Sequence, residues 1–145
     1  MRVNNKPIDV IVAGHLCLDL NPAFSTVGSQ SLRDILIPGK LINVGQVALS
    51  TGGAVSNTGL SLRMLGIRTS LMGKIGSDLL GDTVHKILTE YGSADGLIVD
   101  PESATSYSIV IAPQGIDRIF LHHPGSNDTF CAADLNQDLL ASCRL

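Results

Sequence analysis

Thr51-Gly52-Gly53-Ala54-Val55-Ser56-Asn57-Thr58-Gly59, followed by an apolar periodic run to Leu65 and then Gly66, is the stretch that settles how the chain folds. It reads as a glycine turn opening a helix. Two adjacent glycines let the backbone pass close to a ligand with no Cβ in the way, and the helix that starts there presents unpaired N–H groups and the positive end of its dipole. Such a turn can cradle a polyol or an anion, with Asn57 one turn in as a bidentate hydrogen-bonding group. On glycine spacing alone, an ordinary strand-to-helix turn fits equally well.

The flanking sequence has α/β patterning. Ile8-Asp9-Val10-Ile11-Val12-Ala13 stops at Gly14 and suits a strand buried on both faces at the centre of a parallel sheet. From His15 to Ser50 no helical periodicity is present; Pro22, Pro38 and Gly39 punctuate the segment, and Lys40 to Leu49 carries Leu41, Val44, Val47 and Leu49 in an extended pattern. This region reads as strands lying off the main sheet. A helix is expected from about Ala54 to Leu65, with Val55, Leu62 and Leu65 on one stripe and Gly66 just past its end. Ile67 to Ile75 returns as a strand. Ser77-Asp78 then offers an N-cap to a helix with Leu80, Val84, Ile87, Leu88 and Tyr91 at helical spacing, ended by Gly92.

Leu97-Ile98-Val99 is a short strand stopped by Asp100-Pro101. Thr105 to Ala112 and Arg118 to His122 flank Pro113-Gln114-Gly115-Ile116-Asp117, the pattern of a hairpin with a five-residue turn. Pro124 to Asp128 forms a loop into a helix around Ala133 to Leu140, and Cys143-Arg144-Leu145 follows without the strand that alternation requires. The fold class is therefore α/β, a parallel sheet flanked by helices, and the sequence reads as cut at its C-terminal end.

A chain of 145 residues suits one domain burying roughly two-thirds of its unfolded surface. Hydrophobic content of 44% with 16% charged residues is that of a globular protein, and no apolar run approaches the ~20 residues that cross a bilayer. Arg2 and Lys6 are not followed by a signal-peptide pattern. Cys17, Cys131 and Cys143 are odd in number and lack C-x-x-C spacing, which supports neither a disulfide framework nor a zinc site. A cytoplasmic location is expected. A net charge of -3 without a Lys/Arg cluster argues against a nucleic-acid partner, and no membrane association is expected.

Asp19 stands a few residues past the first strand. Ligands of open parallel sheets gather outside the carboxyl ends of the strands, so Asp19 is placed to face the Gly52-Gly53 turn, where its carboxylate could accept two hydroxyl hydrogen bonds. A solvated loop acid is the alternative. His122 and His123 are adjacent and point to opposite sides of a strand, which makes them poor joint metal ligands, and neither His15 nor His85 completes a set. They read as structural, with one of them facing the ligand site as the alternative. Met64 and Met72 read as core filling. Neither Gly-Lys-Ser/Thr nor a G-x-G-x-x-G after a strand is present.

Gly52-Gly53-x-x-x-Asn57, with Gly66 and Gly76 in register, resembles the first signature of the ribokinase (PfkB) carbohydrate kinase family. Val55 and Gly59 depart from the family's usual residues. The resemblance covers Ile8 to the end of the chain and implies a ribokinase-like fold with a small β lid, its strands near residues 17–24, 40–50 and 105–122. Residues 1–145 would then be the N-terminal substrate-binding part of a kinase about twice this length. The implied activity is ATP- and Mg²⁺-dependent phosphorylation of a sugar or nucleoside hydroxyl, with Asp19, Gly52, Gly53 and Asn57 binding the acceptor. Lids of the family often pair, so Val44, Val47, Ile109, Ile111 and Phe120 point to a homodimer.

Gly125-Ser126-Asn127-Asp128-Thr129-Phe130 is similar to the family's Gly-Ala-Gly-Asp-Thr-Phe catalytic loop. It is read as a different element, because Asn127 replaces the glycine that admits phosphate oxygens and the segment directly follows the hairpin. Asp128 is accordingly not assigned as a base, no catalytic residue is assigned, and Gly76-x-Asp78-x-x-Gly81 is read as a helix cap. The Asn-x-x-Glu element, the nucleotide loops and the catalytic Asp of the family have no counterpart here, so the chain by itself should lack turnover. A non-catalytic sugar-binding or oligomerisation module is the rival reading, and an unrelated α/β regulatory domain a third.

Overall fold

The computed structural model describes residues 7–24, 31–92 and 94–144. Two sheets share one core. Strands β1 (Val10–Ala13), β4 (Thr69–Gly76) and β5 (Gly96–Asp100) form a parallel sheet in the order β1-β4-β5. Strands β2 (Cys17–Pro22), β3 (Val47–Gly52), β6 (Tyr107–Ile111) and β7 (Ile119–His123) form a second sheet in the order β3-β2-β6-β7.

Helix α2 (Gly53–Met64) packs on β1 and β4, and α3 (Leu79–Glu90) packs on β4 and on the base of β2 and β3. Between them lie Leu16, Leu18, Val55, Leu71, Ile75, Val84 and Leu88, all at most 2% exposed. Gly59 stands where α2 approaches β4, and a side chain there would collide with Leu71. Asp78 caps α3 as expected, accepting from the Gly81 N–H at 2.8 Å. Its carboxylate also takes the Thr105 N–H at 2.8 Å and the Thr105 hydroxyl at 2.6 Å, which fastens the entry to β6. Burial pushes the Asp78 carboxyl up, but these hydrogen bonds together outweigh it and hold it below its ordinary value.

The expected helices and strands recur, with differences that have physical causes. β1 is only half-buried, because beyond β4 it meets a partner solely through a parallel bridge between Ile8 and Cys143. Arg144 donates its N–H to the Ile8 carbonyl at 3.1 Å, so the segment after the last helix makes a single parallel bridge just before β1. On α2, Leu65 and Met64 are 77% and 80% exposed. Ten residues from Val55 brings Leu65 round by about 280° and nine bring Met64 to the opposite side, so the buried stripe runs through Val55 and Gly59 instead. Tyr91 lies beyond the end of α3 and is exposed. Met72, by contrast, is core.

The extended segment before residue 50 forms a strand only from Val47, since its partner β2 ends at Pro22. A one-turn helix, α1 (Leu32–Ile35), lies in the region read as free of helix; four residues are too few for a periodic signal. The expected helix at 133–140 is divided into a 3₁₀ turn at Ala132–Asp134 and α4 (Gln137–Ser142). Asn136 starts the second piece by accepting the Leu139 N–H at 3.0 Å.

Candidate functional site

The site is assembled where β1, β2 and β3 meet the N-terminus of α2. Gly53 opens the helix with φ of 84°, a conformation that an L side chain rarely adopts. The turn is packed from one side by His15, whose carbonyl accepts the Val55 N–H at 3.1 Å. One of the helix's N-terminal donors is thus already used. A Cβ at Gly53 would collide with that carbonyl and come within 3.1 Å of His15 Nδ1. At Gly52 a Cβ would fall on the Asp19 carboxylate, 2.8 Å from Cγ and 3.0 Å from Oδ1. The two glycines let the backbone pass beneath Asp19 and His15.

Strand alternation determines what surrounds Asp19. Asp19 pairs with Ser50 on β3 and with Ser108 on β6, and Ser108 pairs with His122 on β7. Directly paired residues share a face, so Cys17, Asp19, Asn21, Ser50, Ser108 and His122 make one polar face of the second sheet. Hydrogen bonds knit it together. Ser108 Oγ lies 3.1 Å from His122 Nδ1, Cys17 Sγ donates to Asp19 Oδ1 at 3.4 Å, and Asn21 Nδ2 donates to Ser50 Oγ at 3.3 Å. The His15 and His122 rings meet edge to face with centroids 5.4 Å apart.

The electrostatics follow from that crowding. Burial and the Asp19 carboxylate push the Cys17 thiol up to about 11, so it sits in the cluster as a neutral donor. Partial burial and the neighbouring His122 hold His15 below the ordinary imidazole value, against the opposing pull of Asp19. Imidazoles, a thiol, hydroxyls, an amide and a carboxylate are a set suited to hydrogen-bonding a polyhydroxylated molecule.

Asp19, Gly52 and Gly53 are brought into direct juxtaposition. Asn57 lies four residues after Gly53, one turn along the same helix face, and is exposed; it lines a shallow hollow with Thr51, Ser56, Leu60, Ser61, Met64 and Tyr91. His15 and His122, read from sequence as structural, both face the Asp19 cluster. Ser108, Asn21 and Ser50 were not singled out at all. The signal was present in the period-two spacing of Cys17-x-Asp19-x-Asn21, which places all three side chains on one face of a strand.

The Gly125–Phe130 segment is a 3₁₀ turn whose polar groups serve the fold. Ser126 Oγ donates to the Lys74 carbonyl at 2.7 Å, while Asn127 clasps the backbone of Leu16, accepting its N–H at 3.1 Å and donating to its carbonyl at 2.9 Å. That clasp fixes the backbone between His15 and Cys17. Lys74 Nζ reaches from β4 to the Thr129 carbonyl at 3.1 Å and to Asp134 at 2.9 Å. Asp128 is exposed. Among the described residues no three His, Cys, Asp or Glu side chains are grouped to hold a metal ion, and no helix is long and apolar enough to cross a membrane.

No family model matches the chain. It is 29% identical over 139 residues to fructokinase-2 of Solanum habrochaites, covering 94% of this chain and 39% of the relative. It is 27% identical over 119 residues to 5-dehydro-2-deoxygluconokinase of Geobacillus kaustophilus, covering 73% and 32%. The fold matches that of a PfkB protein from Polaromonas sp. JS666 with a TM-score of 0.74 at 20% identity, over 94% of this chain and 43% of that one. The chain thus spans about two-fifths of the length of its relatives. Sequence likeness along nearly all of the chain, joined to a ribokinase-like α/β architecture, makes it similar to the ribokinase (PfkB) carbohydrate kinases over that span.

Proposed function

We propose that this chain is the acceptor-binding part of an ATP-dependent carbohydrate kinase, with Asp19, Gly52, Gly53 and Asn57 holding a sugar or nucleoside. The observation that carries the reading is the Asp19 carboxylate lying over the Gly52-Gly53 turn at the mouth of α2. A carboxylate fixed there accepts two hydroxyl hydrogen bonds, and the glycines let Asp19 and His15 pack directly over the turn. Orientation of the acceptor hydroxyl is the chain's share of phosphoryl transfer.

ATP supplies the transferred group in such a reaction, and one solved relative is a fructokinase from Xylella fastidiosa with bound ATP. The residues of this chain do not fit ATP or Mg²⁺: the 3₁₀ turn at Gly125–Thr129 is spent on internal hydrogen bonds, and no metal-ligand cluster occurs among the described residues. The chain alone should show no ATP-dependent sugar phosphorylation; turnover that depended on Asp128 would refute this.

The test of the acceptor site is calorimetric titration of the chain with D-fructose. Charge-assisted hydrogen bonds are worth about 1.5–3 kcal/mol each, so Asp19→Ala should weaken binding at least about tenfold and Asp19→Asn by less. Unchanged affinity in Asp19→Ala would sink the assignment.

The second sheet also supports self-association. Its face opposite Asp19 carries Val47, Leu49, Ile119 and Leu121, at 45%, 47%, 38% and 52% exposure, an apolar surface suited to pairing with a second copy. Of the residues expected there, Ile111 is buried and Phe120 alternates onto the Asp19 face beneath the Arg118 guanidinium. On this reading the sheet is a lid over the acceptor, and the cell compartment is the cytoplasm. Leu121→Asp should shift sedimentation towards monomer, whereas a monomeric profile of the unaltered chain at high concentration would exclude the dimer.

A further inference from the structure

We propose that His15, packed edge to face against His122, acts as a charge filter on the acceptor, selecting uncharged polyols at neutral pH and admitting sugar acids when its imidazole is protonated. The inference rests on the acceptor-site reading above and deepens it, by naming the chemical class that the site admits and the groups that decide it.

The argument begins with the charges that face the site. From β2 come the Asp19 carboxylate and the neutral Cys17 thiol; from β6 and β3 come the uncharged Ser108, Ser50 and the Gly52 backbone; from the β1–β2 connection and β7 come the two imidazoles. Arg118, farther along β7, is engaged over the Phe120 ring at 5.3 Å. With His15 neutral, a carboxylate-bearing acceptor meets the Asp19 carboxylate without compensation from that ring. Protonating His15 offsets that charge, because its ring stands close enough to Asp19 to feel the carboxylate directly.

The geometry also determines which atoms would do the reading. Ser108 holds His122 through Nδ1, leaving Nε2 as the ring atom available to an acceptor. His15 is held by its own backbone, which is pinned to the helix start through Val55 and adjoins the Leu16 backbone that Asn127 clasps. The His15 backbone is therefore held at the helix start, and His122 is held through its ring nitrogen, as a discriminating site requires. Crowding by burial and by His122 favours the neutral form of His15, which keeps the filter in its uncharged state near neutrality.

The test uses the 145-residue chain, titrated calorimetrically with D-fructose and with D-gluconate at about pH 7.5 and about pH 5, either side of the ordinary histidine value of about 6.5. The gluconate-to-fructose affinity ratio should rise at least about tenfold on acidification, equivalent to one unit charge changing sign of interaction at this range. In the double variant His15→Gln, His122→Asn, which keeps hydrogen-bonding groups but cannot titrate, the ratio should change by less than about twofold. Circular dichroism establishes that the variant is folded.

A ratio in the unaltered chain that ignores pH would overturn the filter even if fructose binding depends on Asp19. A pH response that survives in the folded double variant would overturn it as well. Absence of Asp19-dependent binding with both probes would overturn the acceptor-site reading and the filter together, which separates the two failures.

Discussion

The two sheets of this chain use the same strand patterning to opposite ends. In the parallel sheet, Leu71 and Ile75 of β4 are at most 2% exposed and share a core with α2 and α3, while Met72, equally buried, lies on the other face. The second sheet has a polar face built round Asp19 and an opposite face on which Leu49 and Leu121 are about half exposed. Deep burial is therefore concentrated in the first sheet and the proposed acceptor contacts in the second. Where they meet, at His15 to Asp19 and Gly52 to Val55, a change should affect both.

The largest expected effect follows from that junction. Gly53→Ala must place a side chain at φ of 84° and against the His15 carbonyl. Backbone strain alone costs about 1–3 kcal/mol, and relief requires His15 to move off the Val55 N–H. Thermal unfolding should show a large drop, and fructose binding should fall with it. A Gly53→Ala chain with unaltered melting temperature would mean that the turn is not held as described.

Asp78 provides the contrast, since it belongs to the parallel sheet's side of the molecule. Asp78→Ala removes the α3 cap and the bonds to Thr105, a loss of about 1–2 kcal/mol, with fructose affinity unchanged. The sign with pH is fixed by the depressed carboxyl. Its contribution is present above the ordinary carboxylate value of about 4 and is lost as pH falls through the lower folded-state value. Acid melting of the unaltered chain and of Asp78→Asn should therefore converge at low pH. Divergence there would contradict the cap.

How much of this could be read from the residues differs between the same two regions. The helix α3 was legible end to end, because Asp78, a five-residue apolar stripe and Gly92 are local signals. The hairpin β6–β7 was legible for the same reason, with turn residues between two β-branched runs. Asp19, Gly52 and Gly53 could be linked in advance, because sheet topology brings the end of one strand to the start of the next helix.

What stayed hidden was register. Whether Ser108 or Tyr107 stands beside Asp19 depends on how β6 pairs with β2, a contact across 89 residues that no local pattern encodes. His122 entered the cluster through that register and His15 through a loop conformation. The division of the last helix at Asn136 was missed because one capping side chain outweighed an apolar periodicity that was otherwise helical.

The smallest effect is expected at the exposed edge of the parallel sheet. Asp9 accepts from Arg68 Nε at 2.9 Å and Nη2 at 2.8 Å, and from Arg144 Nη1 at 3.3 Å. The Arg68 hydrogen bonds hold the Asp9 carboxyl well below the usual carboxylate range. A depressed carboxyl stabilises above its unfolded value and loses that contribution as pH falls through the folded one. Both arginines are about half exposed and Asp9 a quarter exposed, however, so the pairing is screened by salt and offset by the ordering of two long side chains. Asp9→Asn should lower the melting temperature slightly at low ionic strength and not measurably in molar salt. Arg144 is the interesting partner, because its backbone also joins β1 at Ile8. If Asp9→Asn cost as much as Asp78→Ala, the Ile8–Cys143 bridge would be holding the edge of the sheet through this triad, and the contrast between a fixed core and a solvated rim would have to be redrawn.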